Sequence, residues 1–343
     1  MYLIFDTETT GFPLSFSKPI SDFENWSTAR CVQIAWQLHD KEGVLLDYAN
    51  DIIIPEGFEI PLQVVEIHKI SNEIANKHGI AISDALSKFS KVLEKTRYVI
   101  GHNVQFDLNT IGSEYLRLGE LNPLDNCNSI DTMKTSIDYC QLKIGNEGVV
   151  EQVQSNGKWV ARDGTNMYKF RICVKNNATG KIEEGLMHKK TDSLPSLEIG
   201  ETVSYTINAK GTIKTRKGFK APKLEELYAK LFNDDYLTKN AHNGAADVNA
   251  TARCFFELIR QSVISIENST IQLGDISDFN SVNNKIISLS DIDLGPTQKL
   301  FQSKNQSHTA PIAIDKNHDA SNKEHDVGSF CHIRCHSSYS LLQ

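Results

Sequence analysis

The sequence contains no run of about 18 apolar residues, so we expect no membrane-spanning helix. It begins MYLIFDTETT, without basic residues before the apolar stretch and with acidic residues directly after it. This pattern indicates a buried strand rather than a signal peptide. The seven cysteines are odd in number and lack the spacing of a disulfide framework. Together these absences predict a cytoplasmic protein with reduced thiols and no membrane association.

An excess of positive charge is also absent, since the 343 residues carry a formal net charge of −7. That balance argues against a protein that coats nucleic acid through charge alone. The charge is uneven, however: residues 147–220 contain 13 Lys/Arg and 8 Asp/Glu, a local balance of +5 that leaves −12 for the rest. An acidic body with a basic segment is compatible with an enzyme that holds a polynucleotide strand locally.

Apolar runs that alternate with helical periodicity predict a mixed α/β sheet with flanking helices. Residues 2–5 (YLIF) form a continuous apolar run, which is typical of a strand buried on both faces. Further strands are predicted at 31–38, 44–54, 97–101 and 127–131. Helices are predicted at 62–78, 82–95, 106–118, 223–232 and 245–262.

Residues 147–218 interrupt this pattern with β-type alternation, separated by the turn sequences SNGK, RDGT, NATGK and AKGT. We expect a small, β-rich, OB-like barrel inserted into the host domain. Its positive balance and its aromatic residues predict that it holds single-stranded DNA, with the aromatic rings stacked on bases. In the alternative interpretation the same rings form the barrel core. These aromatic residues are Trp159, Tyr168, Phe170 and Tyr205.

Four acidic residues and one histidine stand in three short motifs far apart in the sequence: Asp6 and Glu8 in FDTETTG, Asp107 in HNVQFD, and His242 and Asp247 in HNGAAD. Residues two apart on a strand face the same side, so both carboxylates of the first motif enter one crevice. Converging carboxylate oxygens suit Mg²⁺ or Mn²⁺, and a histidine in a loop suits a general base. A set of four carboxylates and one histidine of this kind is typical of two-metal phosphodiester cleavage.

These three motifs resemble those of the DEDDh 3′–5′ exonucleases, and among them the proofreading (epsilon) subunits of bacterial DNA polymerase III. The resemblance covers residues 1–145 and 219–262. It implies a ribonuclease H-like fold and a catalytic set that binds two Mg²⁺ (or Mn²⁺) ions. By this resemblance Asp6, Glu8, Asp107 and Asp247 bind the metal, and His242 is the general base.

The same family resemblance implies a substrate, the 3′ end of single-stranded or frayed DNA, and residues that bind it. The histidine of the IHKI segment would lie near the terminal nucleotide; a surface histidine on a helix is the alternative. The TTG turn would contact the sugar and phosphate, and the HNVQF segment would orient and stack the base. Asp131 in SIDTMK is expected to have a supporting role, and the loop 12–30 is longer than in the epsilon subunits. The predicted substrate-binding residues are Thr7, Thr9, His68, Asn103 and Phe106.

The last 14 residues, FCHIRCHSSYSLLQ at 330–343, resemble the start of the PHP domain that begins the polymerase III alpha subunit. Arg334 stands where metal-binding members of that family have histidine. Two Cys and two His in CHIRCH could instead form a zinc site, although their spacing is unusual. The chain is therefore predicted to be the N-terminal part of an exonuclease–polymerase fusion, or to descend from one.

The predicted organisation is an exonuclease domain in two parts, 1–146 and 219–262, with the insert at 147–218, a linker at 263–329 and the tail at 330–343. QLGDI (272–276) and QKLF (298–301) in the linker resemble sliding-clamp peptides. The expected function is removal of deoxynucleoside 5′-monophosphates from DNA 3′ ends during replication proofreading, with polymerase III alpha and the sliding clamp as partners. Two alternatives are an RNA 3′-end trimming exonuclease and a non-catalytic replisome adaptor.

Overall fold

The computed structural model describes residues 1–233 and 242–266. They form two compact units, one made of Met1–Met133 together with the residues from Lys223, and one of Lys134–Pro222. The predicted insert, 147–218, falls within the second unit. The tail at 330–343, both clamp-like segments and nearly all of the linker lie outside the described residues.

The first unit is built on a five-stranded sheet with the order β3-β2-β1-β4-β5. Strand β2 runs antiparallel to its two neighbours, whereas β4 and β5 run parallel to β1. This order and these directions are those of a ribonuclease H-like sheet, so the predicted fold class is confirmed. The strands are β1 (Tyr2–Thr9), β2 (Cys31–His39), β3 (Leu45–Ile52), β4 (Tyr98–Gly101) and β5 (Ser129–Asp131).

Helices cover both faces of this sheet. Successive residues of β1 point to opposite sides, so their contacts show the packing on each face. On one side the ring of Phe5 packs 5.3 Å from that of Phe89, and on the other the ring of Tyr2 packs 5.4 Å from that of Phe255. The helices of the unit are α1 (Leu62–His68), α2 (Asn72–His78), α3 (Ile82–Leu93), α4 (Val104–Arg117), α7 (Leu224–Phe232) and α8 (Gly244–Arg260). The short helix α5 (Thr132–Thr135) includes the point in the chain where the first unit ends and the second begins.

The prediction of a single helix at 62–78 is wrong, since the structure has two helices with a break between them. Lys69 ends the first helix in the left-handed conformation, with φ 65°. The Ser71 side chain then accepts a hydrogen bond from the backbone N–H of Ile74 and so caps the second helix. Between them Ile70 is fully buried. The break therefore coincides with an apolar side chain that packs in the core.

A buried ion pair joins helix α4 to the start of strand β2. The Arg30 guanidinium donates two hydrogen bonds to the Glu114 carboxylate, at 2.8 and 3.0 Å. The backbone N–H of Cys31 donates a third, at 3.0 Å. The Glu114 side chain is only 2% exposed, and the Arg30 guanidinium also lies 4.4 Å from the centre of the Phe58 ring. Such a pair fixes the position of α4 against the sheet.

The second unit is an antiparallel five-stranded sheet with the order β10-β9-β6-β7-β8. A parallel bridge between Leu186 and Thr212 brings β8 next to the start of β10, so the sheet closes on itself. The resulting cyclic order β6-β7-β8-β10-β9 is that of OB-type barrels. After the short helix α6 (Ile137–Cys140), the strands are β6 (Asn146–Val160), β7 (Asn166–Asn176), β8 (Ile182–Lys189), β9 (Thr202–Ile207) and β10 (Ile213–Arg216).

The barrel core contains most of the aromatic residues that the sequence had suggested for base stacking. Tyr205 and Phe170 are fully buried among the core residues, and Tyr168 packs against them. The prediction that Phe170 and Tyr205 stack on bases is therefore wrong, because these two rings supply the apolar volume that a small barrel needs. Tyr168 is only partly buried, and its stacking on bases stays a prediction. Trp159 is not part of this core cluster.

Within the described residues, no helix combines the length and the apolar character needed to cross a lipid bilayer.

Replacing Arg30 with Met should lower the free energy of unfolding of the first unit by about 3–5 kcal/mol, because Glu114 would keep a buried charge without its partner. Lys88→Met is the matched control, since Lys88 is half exposed and its pair with Asp51 should contribute no more than about 1 kcal/mol. Urea unfolding in a Trp159→Phe background reports on Trp26 and Trp36, the buried tryptophans of this unit. Equal losses from both substitutions would show that the Arg30–Glu114 pair contributes no more than a surface pair.

Candidate active site

The end of strand β1 supplies three neighbouring side chains to one cleft. Side chains two apart on a strand point the same way, so Asp6 and Glu8 lie on the same face of β1 as Tyr2. This is the face that packs against helix α8, where Tyr2 contacts Phe255. Thr7 points to the opposite face, toward helix α4. A register irregularity lies between Glu8 and Thr9, and Thr9 still pairs with Cys31 of β2. Both carboxylates lie near the end of the strand, where they line the cleft.

Asp107 reaches the cleft from the first turn of α4 and is held there by Thr7. The Thr7 hydroxyl donates to Asp107 Oδ1 at 2.6 Å, and the Thr7 backbone N–H donates to the same oxygen at 3.0 Å. Asp107 is buried, with 4% exposure. These two hydrogen bonds leave Oδ2 available to a ligand. Thr7 was predicted to contact substrate, but its contacts in the structure are those of a residue that orients Asp107.

Asp247 and His242 enter the cleft at the start of helix α8. The backbone N–H of His242 donates to Asp247 Oδ2 at 2.9 Å, and His242 itself has a positive φ of 65°. The helix start is anchored to β2, where the Gln33 side chain accepts a hydrogen bond from the Gly244 N–H at 3.2 Å. A Cβ at Gly244 would lie 3.1 Å from the Cβ of Ala35. Glycine thus permits the close approach that brings Asp247 to the sheet.

The structure brings all five predicted catalytic residues to one cleft that is open to solvent. Possible metal-binding atoms of Glu8, His242 and Asp247 lie within 4.8 Å of one another. Asp107 is buried, whereas the other three acids are half-buried. The cleft is lined by Asp6, Thr7, Glu8, Phe12, His102, Asn103, Phe106, Asp107, Lys223, Leu224, Glu225, His242 and Asp247.

The carboxyl groups of the cleft have raised pKa values. Burial raises the pKa of Asp6 most, and the charges of Asp107, Asp247 and Glu8 raise it further. The pKa of Glu8 is raised by burial and then by Asp247 and Asp107. Burial also raises the pKa values of Asp107 and Asp247, although hydrogen bonds from Thr7 and His242 oppose the increase. Without a cation, the cluster favours partly protonated states.

This donor set fits divalent cations such as Mg²⁺ or Mn²⁺. Asp6, Glu8, Asp107 and Asp247 offer hard oxygen ligands at the wall of one cleft, and their mutual repulsion is the electrostatic condition that a cation relieves. His242 lies close enough to Glu8 and Asp247 to be either a ligand or a base. Burial lowers its pKa, so the imidazole is neutral near neutral pH and can accept a proton.

The predicted substrate-binding residues lie at or beside the cleft, although their roles stay predictions. His68 is 2% exposed, so it is not a surface histidine of a helix. Its Nδ1 accepts a hydrogen bond from the Ile70 N–H at 3.1 Å, and burial together with the charge of His242 lowers its pKa to about 4. Thr9 donates its hydroxyl to the carbonyl of Gly11 at 2.8 Å. Gly11 forms the turn with φ 145°.

Asn103 and Asp131 act together at the turn between β4 and α4. Asn103 has a left-handed conformation with φ 68°, and its backbone N–H donates to Asp131 Oδ1 at 2.9 Å. The same oxygen accepts a hydrogen bond from the Met133 N–H at 3.0 Å. Asp131 therefore fixes the turn that starts the helix carrying Asp107, in agreement with the supporting role expected for it.

Several lining residues were not predicted from the sequence. Phe12 contacts Phe106, with ring centroids 5.5 Å apart, and Phe16 lies 6.3 Å from Phe106. An aromatic residue directly after the Gly11 turn was a usable signal for Phe12. His102, Lys223 and Glu225 also line the cleft. Lys223 and Glu225 directly follow the second unit in sequence, and no local pattern marks them.

Comparison with known proteins gives one family match. Residues 3–147 match the family model RNase_T, described as Exonuclease. The match covers less than half of the 343 residues, and it ends before His242 and Asp247, which the structure nevertheless brings to the same cleft. No curated protein matches the chain.

Solved structures of Exonuclease I are similar to this chain at low identity. The E. coli enzyme in complex with a dA16 oligonucleotide matches with TM-score 0.42 and 15% identity, covering 75% of this chain and 40% of that chain. Its complex with a 5cy-dT13 oligonucleotide gives TM-score 0.41, 15% identity and the same coverage of 75% and 40%. The zinc-bound E. coli ExoI–ssDNA complex gives TM-score 0.34 and 18% identity, covering 41% and 30%. The chain thus spans less than half the length of these relatives.

The raised carboxyl pKa values predict a pH-dependent stabilisation by Mg²⁺. The folded cluster keeps protons that the unfolded chain loses above about pH 4, so stability without metal should fall as pH rises toward the folded pKa values. A bound cation replaces those protons. Mg²⁺ should therefore raise Tm more at about pH 8 than at about pH 6.

The measurement is thermal unfolding with and without Mg²⁺ at both pH values. Asp107→Asn should remove most of the Mg²⁺ effect, whereas Asp84→Asn, the same change at an exposed position in α3, should retain it. A Mg²⁺-induced shift that is independent of pH would contradict a proton–metal exchange in this cluster.

Proposed function

We propose that the chain is a metal-dependent 3′–5′ exonuclease that removes nucleoside 5′-monophosphates from the 3′ end of DNA. The observation that carries this proposal is the convergence of four carboxylates and His242 in one cleft, three of them within a domain that matches the exonuclease family model. The resemblance of the three motifs to DEDDh exonucleases supports the 3′–5′ direction.

The residues of the cleft would divide the work as follows. Two divalent cations, when bound, supply positive charge at the scissile phosphodiester and make an attacking water more acidic. Asp6, Glu8, Asp107 and Asp247 would hold them. Thr7 keeps Asp107 in place through its two hydrogen bonds. His242, neutral because burial lowers its pKa, would accept the proton of the attacking water.

The finer role that we propose is proofreading of newly made DNA ends. What supports it is the similarity of the motifs to epsilon subunits and of the segment 330–343 to the start of a polymerase III alpha subunit. The aromatic rings of Phe12 and Phe106, which line the cleft, would contact a terminal base that has frayed from its template. An enzyme with this role should remove a mismatched primer end faster than a paired one.

Asp107→Asn should reduce cleavage more than about 100-fold, because even groups that only support a metal ligand change activity by about 10- to 100-fold when lost. The assay uses a 5′-labelled oligonucleotide with Mg²⁺, and a ladder that shortens from the 3′ end is expected. Asp84→Asn, the same chemical change on the surface, should cleave like the wild type.

The substrate arms of this assay separate the alternatives. DNA and RNA strands of matched sequence distinguish a deoxyribonuclease from an RNA-trimming enzyme, and paired and mismatched primer ends test proofreading. Absence of cleavage on every strand, or full activity of the Asp107→Asn variant, would refute the nuclease assignment.

The role of His242 can be tested separately from metal binding. If it is the general base, His242→Ala should lower kcat by about 10²- to 10⁴-fold and leave the Mg²⁺-induced increase of Tm unchanged. If it is a ligand, both the rate and the Tm increase should fall. His78→Ala, at an exposed position in α2, is the matched control and should change neither. Loss of the Tm increase in His242→Ala would contradict the proposed base.

A further inference from the structure

The outer face of the barrel in the second unit carries one aromatic ring that the core does not use. Trp159, near the end of β6, lies with its ring centroid 4.9 Å from that of His188 on β8. The Lys169 Nζ on β7 lies 5.1 Å from the Trp159 ring centre. Trp159 thus reaches across β7, and the three side chains form a cluster on the outside of the strands, which we name the Trp159 face.

We infer that the Trp159 face is a binding site for single-stranded polynucleotide, separate from the nuclease cleft. Its chemistry is that of a stacking platform beside positive charge: an indole for a base, with a lysine and a histidine for the adjoining phosphates. An aromatic ring accepts any base, so this site should hold a strand without sequence preference.

The register of the strands shows which charges share this face. Lys169 pairs with His188, and Arg171 with Leu186, so Lys169 and Arg171 point outward while Phe170 between them points into the core. Arg171 lies 3.2 Å from Glu184, which neutralises part of its charge. Among the described residues, Lys169 has no carboxylate within ion-pair distance. Lys169 is therefore the cation most able to turn from the indole to a phosphate.

Two loops at the edges of this face each add an exposed cation. Arg162 lies in the turn between β6 and β7, and Lys210 in the turn between β9 and β10. The second turn is held against β8, since the Leu186 N–H donates to the Gly211 carbonyl at 2.8 Å. In OB-type barrels the outer face of the second and third strands and these two turns bind oligonucleotides. The two turns thus add two exposed cations to the barrel surface, besides the Lys169 that lies over the indole.

A purely structural role fits Trp159 less well. The core of the unit is complete without it, with Phe170 and Tyr205 fully buried at its centre. Trp159 is only half-buried, and the groups that contact its ring are the Lys169 side chain and the exposed His188. A base can replace the lysine on the ring, while the lysine keeps its charge close by for the phosphate.

The test is binding of a fluorescein-labelled oligothymidylate of about 20 nucleotides, and of the matched oligouridylate, to the full chain in EDTA, so that no cleavage occurs. Trp159→Ala should raise Kd by about tenfold, and Trp159→Phe should restore most of the affinity because phenylalanine also stacks. Lys169→Gln should reduce the dependence of log K on log salt by about 0.7. Val160→Ala and Lys41→Gln are the matched controls, since both positions are exposed and lie off this face.

Weaker binding of either strand by Trp159→Ala supports the site, and comparison of the two strands shows whether the sugar matters. Unchanged affinity of Trp159→Ala for both strands, with the fold retained by circular dichroism, would overturn it. Failure of the nuclease proposal appears as absent cleavage in the wild type, and is therefore distinct from failure of this inference.

Discussion

The mutual repulsion of four carboxylates in one cleft is the constraint on which the first unit depends. Burial raises the pKa values of Asp6, Glu8, Asp107 and Asp247, and the charges of the neighbouring acids raise those of Asp6 and Glu8 further. Their approach therefore costs folding free energy unless protons or cations compensate. A sequence would lose this arrangement quickly if stability were its only selected property. Three separate elements must therefore hold the acids in position against a force that separates them.

The sheet holds the four acids in position through contacts on both of its faces. Because β1 alternates, Asp6 and Glu8 face the side of α8, while Thr7 faces α4 and binds Asp107. Each helix is then fastened independently of the acids. The Arg30–Glu114 pair fixes α4 to the start of β2, and Gln33 holds the first N–H of α8. The rigid attachments lie a few residues from the carboxylates, where they can position them without neutralising their charge.

The sequence allowed prediction of the parts that follow from periodicity and from local chemistry. The period of two placed the acids of β1 on one face, and the long helices α3, α4 and α8 followed from apolar spacing. The break at Lys69–Ser71 was missed, because the left-handed residue is a lysine rather than a glycine. Gln33 gave a weak signal as a polar residue within an apolar strand, but its partner, Gly244, is 211 positions away. Tyr205 and Phe170 could not be distinguished from surface rings, since alternation alone does not show which face of an isolated strand is covered.

The position of the second unit in the chain explains why the last motif lies so far from the others. Lys134–Pro222 has its own apolar core, so ordering that segment does not depend on the sheet of the first unit. Closing a long loop also adds little cost for each further residue. An insertion at this point can therefore leave β1, α4 and α8 undisturbed.

The insertion also has a chemical consequence, because the chain re-enters the first unit at Lys223, which lines the cleft together with Glu225. The Glu226 side chain accepts a hydrogen bond from the Lys223 N–H at 2.9 Å and fixes this re-entry. Lys223 and Glu225 thus complete the wall of the cleft because the inserted unit ends just before them. The family match ends at residue 147, so it does not contain them.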